Sequence, residues 1–330
     1  MVRNIGIVIV SIIIIAIVLD AVVSILSRPQ AGRKACQDAN IPYKTVIAHR
    51  GASYWAPEET YFSYIIAKNV GADYLEMDVQ RTKDDVIIVF HDDTLNRITN
   101  VAEVFPGREN DPINSFTIAE LKRLDVGKWF NTSFPERSKN SYNGTQILTL
   151  DEVIDIAKSD NGLYPLYIET KNAKNFQGIE EQLVHILQTR GYINKDQKTS
   201  NTPYAPVIFQ SFEIESLLLL QKLAPQVPRI YLIDEDMVKQ KGWETLISEA
   251  KQAQCAGLGP SGYLGWPWIT GKAHRNGLLV HIYTVNKKWQ YRLLDWFGAD
   301  GFFTDRCELL MEYYVKPYKK PFNEILSSID

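Results

Sequence analysis

"DYLEMDVQRTKDDVIIVFHDD", residues 73–93, holds two apolar runs, 73–79 and 86–90, joined only by "QRTKDD". A crossover between parallel strands needs about a dozen residues or more, so these two runs form an antiparallel hairpin turning near Lys83-Asp84. Working outward, the same kind of short run recurs from Thr45 onward: "TVIA" (45–48), "LYIE" (166–169), "VIFQ" (207–210), "RIYLI" (229–233), "CAGLG" (255–259), "LLVHIYTV" (278–285) and "DGFFT" (300–304). Between them lie stretches of helical spacing. "YFSYIIAKNVG" (61–71) and "IEEQLVHILQTRG" (179–191) end on glycine, as helices often do. Apolar strands alternating with helices imply parallel strands covered on both faces. Nine runs are one more than an eight-stranded barrel needs, and the hairpin absorbs the extra one. The expected fold is an α/β TIM-type (β/α)8 barrel. The alternation alone also fits a doubly wound sheet. Residues 93–143, rich in Asn, Pro, Ser and Gly with one helix signal at 117–124, read as an inserted loop segment.

The bulk numbers are compatible with that size. The chain has 330 residues, 45% hydrophobic and 11% aromatic, enough for a large core. Thirty-six basic against 39 acidic residues give a net charge of -3, and there is no block of like charge, so nucleic acid is not an expected partner. Cys36, Cys255 and Cys307 are odd in number and widely spaced, which makes neither a zinc pattern nor a disulfide framework.

The amino-terminal 27 residues differ. Ile5 to Leu26 carries one charge, Asp20. As a helix it would reach about 33 Å, the thickness of a bilayer core. No clear small-x-small cleavage site follows, so it reads as an uncleaved single-pass anchor, and the protein as a single-pass membrane protein. Arg3 precedes the segment; Arg28, Arg33 and Lys34 follow it, which by count favours a cytoplasmic main domain, while an export signal would place it outside. The side of the membrane is left open. Residues 1–27 are the expected anchor, 28–44 a polar linker that contains two prolines, and 45–330 the barrel.

Chemistry collects where the runs end. Run one ends on His49-Arg50, run two contains Glu76 and Asp78, run three ends on His91-Asp92, and run four ends on Glu169 with Lys171 beyond. In parallel barrels the strand C-termini share one face, which carries the active site. Glu76 and Asp78, one residue apart, project from the same side of a strand. Two carboxylates so close call for a cation between them, and with Glu169 they make an oxygen site for Mg²⁺ or Ca²⁺. The hairpin brings His91 back near Asp78. Arg50 and Lys171 suit an anionic, phosphoryl substrate, and two histidines can divide acid and base work near neutral pH. That is phosphodiester chemistry. No P-loop or G-x-G-x-x-G occurs, so no nucleotide cofactor is expected. Gly51 is expected to turn the chain away without crowding a phosphate.

"AHRGASYWAPEET", "LEMDVQRTKDDVIIVFHDDTLNRIT", "LTLDEV", "YIETK", "IYTVN" and "ADGFFTD", in this order over residues 46 to about 310, resemble the glycerophosphodiester phosphodiesterases. The resemblance implies a TIM-type barrel and metal-dependent hydrolysis of a glycerophosphodiester to an alcohol and sn-glycerol 3-phosphate. It implies His49 and His91 as the acid–base pair, and Glu76, Asp78 and Glu169 as ligands of Mg²⁺ or Ca²⁺. It further implies Arg50 and Lys171 as phosphate holders, and an inserted segment covering the barrel mouth. One departure stands out: the family usually reads Glu-Asn-Thr where this chain has Glu58-Glu59-Thr60. The aromatics Tyr54, Trp55, Tyr263, Trp266, Trp268 and Tyr283 fall on loops and either pack the rim or wall an acyl chain. The alternative activity is therefore lysophospholipase D-type hydrolysis of lysophospholipids at the membrane. The alternative without activity is a silent barrel binding a phosphorylated ligand.

Overall fold

The computed structural model describes residues 29–159, 162–194 and 203–329. Eight parallel strands close on themselves: β1 (Thr45–Ala48), β2 (Tyr74–Arg81), then β5 (Leu166–Thr170), β6 (Val207–Ser211), β7 (Arg229–Ile233), β8 (Gly257–Pro260), β9 (Leu279–Ile282) and β10 (Gly301–Thr304), with β1 pairing both β2 and β10. Closure excludes the doubly wound sheet. Two further strands of the same sheet, β3 (Ile87–Val89) and β4 (Leu148–Thr149), continue it in antiparallel order, β3 pairing with the last residues of β2 and β4 with β3. The run 86–90 is thus the return arm of a hairpin, with Val79 opposite Val89 and Arg81 opposite Ile87.

Each barrel strand leads on to a helix, the second only after the shorter helices Val101–Val104, Ile118–Leu121 and Lys128–Ser133: Tyr61–Val70, Leu150–Ala157, Ile179–Thr189, Ile214–Leu223, Glu235–Gln252, Pro267–Arg275, Lys288–Trp296 and Cys307–Tyr313. Local chemistry fixes their ends. Thr60 and Ser63 form a reciprocal cap at the start of the first, which ends where Gly71 takes φ 94, a left-handed turn that costs glycine nothing. The "LTLDEV" motif is the same device: Thr149 caps the backbone of Glu152, whose side chain returns to the Thr149 N–H.

The strands are buried on both faces, and two apolar layers result. One fills the space between strands and helices. The other fills the barrel: Ile47, Tyr74, Tyr167, Ile208, Ile230, Leu279 and Phe303, one from each of seven strands. The eighth, β8, supplies glycine; a Cβ on Gly257 would come within 2.6 Å of the Leu279 side chain.

Residues 29–38, expected within a linker, are helical. Ala35 and Cys36 from this helix, with Ile41, are buried against the inner layer and stopper the barrel opposite its catalytic face. Gly32 packs on Asp300, whose carboxylate accepts from Val280 N–H at 2.7 Å and lies 2.8 Å from His274 Nε2. The apolar residues at 35, 36 and 41 are too few to show a period, and only the open barrel end makes them a buried face.

The single-pass membrane location is also corrected. Among the described residues no helix is long and apolar enough to cross a membrane. The longest described helix, Glu235–Gln252, breaks at Gly242 and carries charges throughout. The segment Ile5–Leu26, on which that expectation rested, lies outside the described residues.

Candidate active site

All seven expected site residues line one cavity of about 230 Å³, together with Gln210, Phe212, Leu232, Tyr283, Thr284 and Phe303. His49 and Arg50 leave the end of β1, and Lys171 leaves the end of β5. The β2–β5 register sets Asp78 beside Glu169. The hairpin delivers His91: the Phe90 N–H donates to the Asp78 carbonyl at 2.9 Å.

Carboxylate oxygens of Glu76, Asp78 and Glu169 lie within 4.8 Å of one another, and all three residues are buried. Glu76 accepts the Arg50 backbone N–H at 2.7 Å and the Gln210 amide at 2.8 Å. Asp78 Oδ2 is buried and accepts no hydrogen bond; Arg50 Nε approaches it to 3.3 Å as an ion pair. Lys171 Nζ lies 3.1 Å from Glu169 and 3.8 Å from Asp78. Burial, and then repulsion by Asp78, pushes the Glu76 carboxyl well above its usual range. Burial likewise pushes Glu169 up to about 8, outweighing the downward pull of Lys171, with a smaller push from Asp78. Asp78 goes the other way: against burial, Lys171, His91, Arg50 and His49 hold it well below the carboxylate range. An all-oxygen donor set, crowded, buried and with one orphan oxygen, fits a hard divalent cation, which would keep all three ionised.

The histidines are each oriented by an aspartate. His49 Nδ1 lies 2.7 Å from Asp305 Oδ1, and His91 Nδ1 lies 2.7 Å from Asp92 Oδ1. A carboxylate only accepts, so Nδ1 carries the hydrogen in both rings and Nε2 is the working nitrogen. Burial lowers the His91 pKa, partly offset by Asp92.

The chain that carries this pairing of two oriented imidazoles with a carboxylate triad is similar to known proteins. The model of the Glycerophosphoryl diester phosphodiesterase family matches residues 49–309. The chain belongs to this family. Its enzyme class, a glycerophosphodiester phosphodiesterase, follows from that match and from the 37% identity over 265 residues to the glycerophosphodiester phosphodiesterase of Bacillus subtilis, covering 80% of this chain and 84% of that one. A glycerophosphodiester phosphodiesterase of Caldanaerobacter subterraneus is 30% identical over 271 residues, 82% of this chain and 98% of that one. Among solved structures, an Oleispira antarctica phosphodiesterase in complex with the product sn-glycerol-3-phosphate superposes with a TM-score of 0.65 at 26% identity, over 83% of this chain and 98% of that one.

Sequence reasoning on the phosphodiesterase missed the supporting layer. Asp305, although inside the "GFFTD" motif, had no assigned role, nor had Asn286 in "IYTVN"; Asn286 donates to Asp305 Oδ2 at 2.5 Å. Arg97 donates to Asp92 at 2.5 Å and to Glu58 at 2.6 Å, and Glu58 accepts from Arg50 Nη1 at 2.9 Å. A chain of opposite charges therefore joins His91 to Arg50. The motif spacing held the only signal for these residues. Gly51 needs correcting: at φ +81 its Cβ would meet Ser63 Oγ at 2.6 Å, so it makes room for the first helix rather than for a phosphate. The aromatics divide. Trp55 packs on Phe322 with ring centroids 5.3 Å apart, and Tyr54 stacks under the Arg137 guanidinium at 3.9 Å. Tyr263, Trp266 and Trp268 are exposed.

Proposed function

We propose that the phosphodiesterase hydrolyses a glycerophosphodiester to an alcohol and sn-glycerol 3-phosphate with His49 and His91 as its acid–base pair and a divalent cation, Mg²⁺ or Ca²⁺, held by Glu76, Asp78 and Glu169. The observation that carries this reading is the matched pair of 2.7 Å Asp–His contacts, from Asp305 and Asp92, on one cavity with the buried triad. The product named for the Oleispira antarctica relative supports the choice of substrate.

When bound, the cation would polarise the phosphoryl oxygens and offset charge building on them. Arg50 and Lys171 add fixed positive charge for the same group. One imidazole Nε2 takes a proton from the attacking water, and the other gives a proton to the leaving oxygen. His91, kept toward its neutral form by burial, suits the base. Asp92 and Asp305 hold both rings in the required tautomer. In this assignment residues 45–330 form the catalytic barrel, with about 93–143 as its inserted segment. That segment touches the loop after β1, where the Tyr142 hydroxyl donates to the Trp55 carbonyl at 2.9 Å.

The test is release of glycerol 3-phosphate from glycerophosphocholine by the full chain, with Mg²⁺ and Ca²⁺ in turn and with chelator. Chelator-sensitive release is expected. No release with either metal, from any glycerophosphodiester tried, would sink the reading.

A further inference from the structure

Arg97 is the first basic residue of the inserted segment. Leu95 and Ile98, both buried, fix its backbone, while its own side chain is 44% exposed. Its guanidinium makes four contacts to two carboxylates. Nε and Nη2 donate to Asp92 at 2.5 and 2.9 Å, and Nη1 and Nη2 donate to Glu58 at 2.9 and 2.6 Å. Nη2 is thus shared between the two acids. The oxygens it binds each carry a member of the site: Asp92 Oδ1 is the atom that His91 Nδ1 meets at 2.7 Å, and Glu58 Oε1 is the atom that accepts from Arg50 Nη1 at 2.9 Å. A single nitrogen therefore joins the support of the imidazole to the support of the phosphate clamp.

Only an arginine can make this bridge. Its N–H groups lie in one plane and form a rigid fork that meets two carboxylates at once, whereas a lysine ammonium is a compact point charge on a flexible stem. Without a cation between them Asp92 and Glu58 would repel each other, and each would be free to drag its partner away. Arg97 does not line the catalytic cavity, so it reaches the chemistry only through these two acids.

We propose that Arg97 is a positioning residue that sets His91 and Arg50 relative to each other, so that proton transfer and phosphate binding engage as one unit. The proposal rests on the hydrolytic reading of His91 and Arg50. The two arms of the bridge act on different constants. Loss of the Asp92 arm lets the His91 ring swing and lowers kcat; loss of the Glu58 arm loosens Arg50 and raises KM. The inserted segment, through this one side chain, becomes part of the catalytic framework.

The experiment measures glycerophosphocholine hydrolysis by the full chain as wild type, Arg97→Ala and Arg97→Lys, with methylguanidinium or methylammonium added. Because Arg97 is partly exposed, a small cation can enter the space its side chain leaves. Arg97→Ala should lose about 100-fold in kcat and raise KM, and Arg97→Lys should lose nearly as much. Methylguanidinium should return about tenfold of the Arg97→Ala rate, and methylammonium none. In an Asp92→Asn background, Arg97→Ala should lower kcat by less than about threefold while KM still rises, because only the Arg50 arm remains to be lost. Full activity in Arg97→Ala or Arg97→Lys would overturn the proposal, as would losses in kcat that add fully in the double variant. Equal rescue by methylammonium would overturn the planar bridge in favour of charge alone, and a loss that neither cation recovers would assign Arg97 to packing of the inserted segment. A second measurement is independent of turnover: the downfield proton NMR signal of His91 Nδ1–H, identified by its absence in His91→Gln. It should broaden or vanish in Arg97→Ala and return with methylguanidinium. That result supports the bridge even if no diester is hydrolysed, in which case only the hydrolytic reading fails. A signal unchanged in Arg97→Ala overturns the bridge.

Discussion

His49 Nδ1 and Asp305 Oδ1 meet at 2.7 Å although 256 positions separate them in the chain. The contact exists because β1 and β10 close the barrel, with Ala48 opposite Thr304. Asp305 also accepts from Ser53 and Asn286, so its carboxylate is fixed before substrate arrives. Asp305→Asn keeps the shape and loses control of the tautomer. Its kcat is expected to fall by roughly 10²–10⁴ with KM little changed. Steady-state kinetics check this, and an unchanged kcat would remove the orienting role.

Asp92 both orients His91 and raises its pKa, while burial lowers it. In Asp92→Asn the upward pull is lost, so His91 protonates only at lower pH. The acid limb of kcat/KM should move to lower pH as the maximal rate falls about 100-fold. A limb shifted upward, or not at all, would contradict His91 as the base.

Glu59, the residue that departs from the family pattern, accepts the Asp78 backbone N–H at 2.8 Å through Oε1, while Oε2 is buried without a partner. Burial, then Asp78, pushes its carboxyl well above the usual range, which favours the neutral acid. Glu59→Gln should therefore keep stability and metal affinity. Glu59→Ala leaves a buried N–H unpaired and should cost about 1–3 kcal/mol. Urea unfolding and a Mg²⁺ titration by calorimetry measure both; equal damage from the two variants would mean the charge itself matters.

Three crowded carboxylates also predict that a cation stabilises the fold. Mg²⁺ or Ca²⁺ at about 100 times its dissociation constant should add about 2.7 kcal/mol. The rise in melting temperature should disappear in Glu76→Gln, and its persistence there would remove Glu76 from the ligand set.

His281 is buried inside the barrel, with Nδ1 3.2 Å from the Tyr167 hydroxyl and Nε2 unpartnered. Burial pushes its pKa from 6.5 down to about 3. Between those values the unfolded chain holds a proton that the folded one does not, so stability rises with pH across that window. The slope from this group is about 1.4 kcal/mol per pH unit. From pH 6.5 to 5 the wild type should lose about 2 kcal/mol more than His281→Gln, measured by urea midpoints. Parallel losses would show that His281 ionises freely in the fold.

The chain's own order of residues determined the alternation of strands and helices, the hairpin and the reactive strand ends, while closure into a barrel rather than a doubly wound sheet was decided by the tertiary structure. The six-residue link "QRTKDD" admits only a hairpin, and that single turn both fixes the strand count and returns His91 to Asp78. Alternation along β2 puts Glu76 and Asp78 on one side, so that pair was legible from spacing, while Glu169 joins it through the register of the neighbouring strand. These are short-range consequences of backbone geometry. Tertiary structure alone decided which groups hold the rim in place: Asp305 behind His49, the Arg97–Glu58 link from Asp92 to Arg50, and Glu59 under Asp78. It also turned residues 29–38 into a stopper and gathered Trp266, Trp289 and Leu293 into a groove beside the catalytic cavity. None of these has a local period to betray it. Each depends on closure of the sheet, which brings into contact residues far apart in the chain and makes buried partners of groups that, read in order, are only polar or only apolar.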